Sequence, residues 1–122
     1  MSGLPTNRPE SETGPERAII CNNMPNLRVQ IVRFVDEHQP GFVECQFRDA
    51  DGQMHSIIDK LPCFTSADLR SDSEYPQPGE VKCRALGLPV HGVVTVTLAE
   101  PNAVEATDGR SEFVVSEGDL TP

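Results

Sequence analysis

The densest run of titratable residues is Asp36-Glu37-His38, two carboxylates beside an imidazole. Such a group can move protons when it faces a nucleophile inside a pocket. Here it directly precedes Gln39-Pro40-Gly41, a strong turn signal, so the three side chains are expected at a solvated hairpin tip. A second possible chemistry is a metal site built from His38, His55, His91, Cys21, Cys45, Cys63 and Cys83. Zinc needs three or four such ligands converging tetrahedrally. No Cys-x-x-Cys pair or similar spacing occurs, and Cys45 and Cys83 fall at apolar positions of alternating segments, where Cys serves as a small hydrophobe. The expectation is no metal and no cofactor. The sequence also lacks a Ser-His-Asp arrangement, a glycine-rich phosphate loop and a Walker-type motif, so no enzyme is expected.

Binding is what remains, and two surfaces compete for it. Ten basic residues stand against 19 acidic ones, for a net charge of −9. That field repels phosphate backbones and suits a protein partner with a basic surface. Asp36, Glu37, Asp68, Asp72 and Glu74 lie in predicted loops and would carry the electrostatics. An inhibitor or immunity-type protein that neutralises a basic toxin or nuclease is one such case. The alternative lies on the strands, where Arg28, Gln30, Phe34, Phe42, Gln46 and Arg48 share the expected outward side. Basic residues interleaved with aromatics are how OB-like barrels stack single-stranded bases, so Arg28, Phe34, Phe42 and Arg48 are candidate nucleic-acid contacts. The average charge weighs against that reading. A metal-binding protein or small enzyme is the third class.

These surfaces need elements to hold them. Residues 1–23 mix Pro5, Pro9 and Pro15 with polar residues and show no apolar period, the composition of a disordered tail before a domain at 24–122. The pattern starts abruptly after Met24-Pro25-Asn26, which makes Met24 a candidate translation start that intact mass would test. Leu27, Val29 and Ile31 alternate with polar residues in a first strand to about Val35. Val43, Cys45 and Phe47 mark a second, and Asp49-Ala50-Asp51-Gly52 turns it into a third through Met54, Ser56 and Ile58, ending near Lys60. One short helical turn is expected at Ser66–Leu69, capped by Thr65 or Ser66. The clearest alternation, Val81, Cys83 and Ala85, follows; a loop at Leu88–Gly92 then leads into a strand at Val93–Leu98. Asp108-Gly109 predicts a hairpin between a weak strand at Val104–Ala106 and one at Phe113–Val115, with a frayed end from Glu117. The fold class is all-β: a small single-domain barrel, OB-like or SH3-like, with one helical turn between the third and fourth strands.

No run approaches the roughly 18 apolar residues that cross a bilayer, and residues 1–16 have no hydrophobic run typical of an export signal. A reducing cytoplasm, free thiols and no membrane partner are therefore expected. The stretch from Asp36 through Pro40-Gly41-Phe42 to Cys45, continuing to Asp59-Lys60, resembles the opening of short bacterial proteins of uncharacterised function. Tyr75-Pro76, Gly79, Pro101 and Asp108-Gly109 extend the likeness over about residues 27–116. It implies a bacterial origin and one compact domain beginning near Met24, with no activity, cofactor or site residue attached.

Overall fold

β1 (Asn26–Asp36) is the spine of the molecule in the computed structural model, which describes residues 24–122. The expected disordered tail, 1–23, lies outside the described residues. Leu27, Val29 and Ile31 turn inward from β1, as their period-two spacing requires. β2 (Phe42–Arg48) runs antiparallel to it with Gln30 opposite Gln46, and β3 (Met54–Lys60) follows with Gln46 opposite Ser56. The turn between β2 and β3 is tied by Asp49, whose Oδ1 accepts from the Asp51 and Gln53 N–H groups at 2.9 and 3.0 Å.

β4 (Gln77–Lys82) pairs with the other edge of β1, Leu27 opposite Val81. Through Cys83, whose N–H donates to the Pro25 carbonyl at 3.0 Å, β4 runs into β5 (Arg84–Ala85) and enters a second sheet. That sheet has the order β5-β6-β7, with β6 at Val93–Thr97 and β7 at Glu112–Ser116. A last short strand, β8 (Leu120–Thr121), returns to β1 beside Asn26 and Leu27. The first sheet has the order β3-β2-β1-β4, with β8 joined to β1. One shared core lies between the inward faces, from Leu27, Ile31 and Val43 to Val96, Phe113 and Val115. Full burial of each such residue stabilises the fold by about 1.5–3 kcal/mol.

The mostly β class is as expected, with two sheets whose ladders do not close into a barrel. The helical turn between β3 and β4 exists but sits at Leu61–Cys63, not at Ser66–Leu69. Pro62 explains the shift: its fixed φ suits the start of a helical turn, and Leu61 beside it is buried. Val104 and Ala106 are buried without forming a strand; their N–H groups donate to Leu98 and Arg110 carbonyls in a compact loop. Leu88–Gly92 ends in a two-residue hairpin, with His91 at φ +54 and Gly92 at φ +81 between the paired Val90 and Val93. The C-terminal segment is held in place, Leu120 being buried against β1.

Candidate binding site

Two irregularities in β1 decide which side chains share a face. The β1–β2 register shifts between Ile31 and Arg33 and again between Phe34 and Asp36. Each bulge adds one residue to β1 and reverses the alternation. Arg33, which alternation would place inward with Ile31, is turned outward opposite Glu44, which its Nε–H reaches at 2.6 Å, while Phe34 turns to the core side opposite Val43. Phe34 therefore leaves the face that simple alternation gives it and packs over Gly41.

A groove of about 1050 Å³ opens on the outward side of the first sheet. Arg28 and Gln30 reach it from β1, Gln46 and Arg48 from β2, Pro78 and Glu80 from β4. Of the four candidate nucleic-acid contacts, the fold brings together Arg28 and Arg48. Phe42 lies at the far end of β2 opposite Asp36, and Phe34 lines a different concavity. The rings that do border the groove, Phe47 and Phe64, are only 5% and 3% exposed, so neither offers a free face for stacking.

The second concavity, about 450 Å³, lies at the opposite end of β1, between the Asp36–Gly41 turn and the 68–72 loop. Glu37, Asp68 and Asp72 border it, and Phe34, Leu61 and Leu69 supply apolar lining. The loop is held by Arg70 N–H to Ser73 Oγ at 2.9 Å, by Tyr75 Oη–H to the Arg70 carbonyl and by Gln77 Nε2–H to the Glu74 carbonyl at 2.7 Å. The peptides preceding Pro40 and Pro76, which flank these segments, are cis. Asp68 pairs with Arg70 at 3.2 Å, whereas Glu37, Asp72 and Glu74 have no ion pair with any described residue. Three of the five candidate carboxylates thus converge; Asp36 stands beside them in the same turn, and Glu74 lies just past the loop.

Asp36 accepts from the His38 N–H at 2.9 Å and lies 2.6 Å from His38 Nδ1. The backbone bond, then the ring, hold the Asp36 carboxyl below its ordinary value, and Asp36 in turn raises His38. Both side chains are open to solvent, as a hairpin tip requires. Among the described residues no three His, Cys, Asp or Glu groups converge as metal ligands would. Burial pushes the thiols of Cys45 and Cys83 up to about 12, so neither is a nucleophile at neutral pH. Cys21 lies outside the described residues.

One pair is absent from the sequence reading. His55 is 9% exposed and points inward from β3, its Nε2 2.8 Å from Asp49 Oδ2 and its ring 5.4 and 4.6 Å from those of Phe47 and Phe113. The sequence traces β3 through Met54, Ser56 and Ile58, but the strand buries the alternate residues, His55 and Ile57, and leaves Met54 and Ile58 exposed. Near this pair the two sheets touch, through Ala50 N–H to the Val114 carbonyl and Thr107 N–H to the Ser56 carbonyl, both at 2.8 Å. No helix among the described residues is long and apolar enough to cross a membrane. Comparison with protein-family models, with curated proteins and with solved structures returns no match to this protein.

Proposed function

We propose that this protein is a non-enzymatic binding module whose acidic end engages a basic protein surface, as an inhibitor or immunity-type protein does. The observation that carries the reading is the convergence of Glu37, Asp68 and Asp72 from two separate loops on one concavity, with Glu37 and Asp72 left without a counter-ion among the described residues. Carboxylates already solvated and unpaired attract a basic partner without first breaking internal ion pairs. The apolar lining would receive the aliphatic stem of a partner lysine or arginine while its charged head meets the rim. The net charge of −9 adds long-range steering toward the same partner.

We infer that the two sheets form an open OB-like arrangement. Supporting it are the order β3-β2-β1-β4, the passage of β4 into the second sheet, and the two bonds that bring β3 and its turn toward the second sheet. The free thiols of Cys45, Cys63 and Cys83 support a reducing, cytoplasmic setting.

The test is capture from nuclease-treated bacterial lysate by the full-length protein and by a variant carrying D36N, E37Q, D68N, D72N and E74Q. A stoichiometric basic protein held by the parent and released by the variant is the expected result. Equal capture by both proteins would refute the acidic end as the site.

A further inference from the structure

Arg33, Arg70 and Arg84 hold carboxylates at 2.6, 3.2 and 3.2 Å. Of the three arginines that hold none among the described residues, Arg110 lies over the Phe113 ring at 4.6 Å, which leaves Arg28 and Arg48, in a protein with 19 acids to 10 bases. Each instead donates one Nη1–H to a backbone carbonyl, Arg28 to Gly118 and Arg48 to Gly52, both at 2.9 Å. A guanidinium has five N–H donors in a planar fork. One bond to a carbonyl orients the fork and leaves donors for a planar anion.

The backbone explains why these two arginines meet. β1 and β2 part beyond the Gln30–Gln46 pair, because β8 takes the same edge of β1 at Asn26 and Leu27. The next outward positions on the parting strands are Arg28 and Arg48, and both line the groove. Gln30 and Gln46 lie side by side just behind them, with Gln46 Nε2–H donating to Ser56 Oγ at 3.4 Å. Glu80 and Asp119 also border the groove, Glu80 accepting from Thr121 Oγ1 at 3.0 Å. Two acids against two bases leave no net positive charge for a continuous polyanion, but they admit one anionic group flanked by neutral polar backbone.

We propose that Arg28 and Arg48 form a binding site for a single carboxylate carried by an extended polypeptide, with Gln30 and Gln46 hydrogen-bonding the amides beside it. The carboxylate is that of a polypeptide's C-terminus or of an acidic residue within it. This site is separate from the acidic end and does not depend on it.

The experiment follows backbone amide shifts of the full-length protein as four probes are added. These are Ac-Gly-Ser-Gly-Ser with a free C-terminus, the same peptide amidated, amidated Ac-Gly-Ser-Asp-Ser, and ten-residue oligothymidylate. The free-acid peptide, the Asp peptide or both are expected to shift Gln30 and Gln46, the pattern naming the source; the uncharged amide is expected to leave them unmoved. Arg28→Gln and Arg48→Gln should each weaken binding at least tenfold, and Arg84→Gln, whose arginine holds Glu100, should not. Equal binding of acid and amide peptides, or no shift at these residues with any probe, overturns the site. Tighter binding of oligothymidylate at the same residues overturns the polypeptide in favour of a nucleic acid.

Discussion

Gly41 and Gly52 both adopt left-handed backbone, at φ +91 and +85, yet their surroundings differ. A Cβ on Gly41 would lie 2.9 Å from Phe34 Cζ, whereas one on Gly52 would meet nothing within 4 Å. Gly52→Ala therefore carries only the backbone strain, about 1 kcal/mol, and Gly41→Ala adds displacement of a packed ring, for about 3 kcal/mol in all. Urea midpoints of the two variants measure the difference; equal losses would mean that the Phe34 ring yields freely. The His55–Asp49 pair gives a pH signature. Asp49 lies below its ordinary value of 3.8, chiefly through the hydrogen bond from His55, with the Gln53 and Asp51 N–H groups assisting against burial. A carboxyl depressed in the folded state adds stability above its unfolded value, and that stability is lost as pH falls through the folded one. Unfolding followed below pH 4 should thus be less pH-dependent in Asp49→Asn than in the parent. Asp36→Asn, at a solvent-exposed tip, should change that slope less.

Period-two segments with one buried side were legible except in β3, where Met54, Ser56 and Ile58 mark the strand but His55 and Ile57 are its buried side, and segments shaped by backbone irregularity were not. Val43, Cys45 and Phe47 in β2, and Val81 with Cys83, alternate and are buried as read. The β1 bulges were hidden because Val32-Arg33-Phe34-Val35 contains no glycine or proline to mark them, and their effect was to remove Phe34 from the groove while Arg28 and Arg48 kept their parity. Val104 and Ala106 imitate a strand because a buried loop can also turn alternate residues inward when its N–H groups find carbonyls locally. Leu120 was missed since a two-residue strand is too short to show a period. Its burial at 3% predicts that Leu120→Ala lowers stability by about 3 kcal/mol, a drop of at least about 10 °C in Tm. Leu88→Ala, at a position 72% exposed, should stay within about 0.5 kcal/mol of the parent by the same thermal melt. Equal shifts in the two variants would show that β8 does not anchor β1.

Across the whole molecule, the acidic end and the groove occupy opposite ends of one strand. Arg28 and Asp36 are eight residues apart on β1, so the two sites are separated by about 25 Å at roughly 3.3 Å per residue. That distance decides whether they communicate. At 0.15 M ionic strength the Debye length is about 8 Å, and the carboxylates of Glu37 and Asp72 are screened from the groove. At 0.01 M it is about 30 Å, longer than the separation, and the same carboxylates oppose entry of an anion between Arg28 and Arg48. Neutralising them with E37Q and D72N should therefore strengthen binding of the free-acid peptide at 0.01 M salt and leave it unchanged at 0.15 M. Peptide titrations of the parent and the double variant at the two salt concentrations measure this directly. An equal gain at both would point to a direct structural link between the ends of β1, and no gain at either would mean that the acidic end does not contribute to the field at the groove. With the expected pattern, the molecule offers a basic partner and a carboxylate-bearing segment two sites that act independently at physiological salt, so one partner could occupy both without either binding event weakening the other.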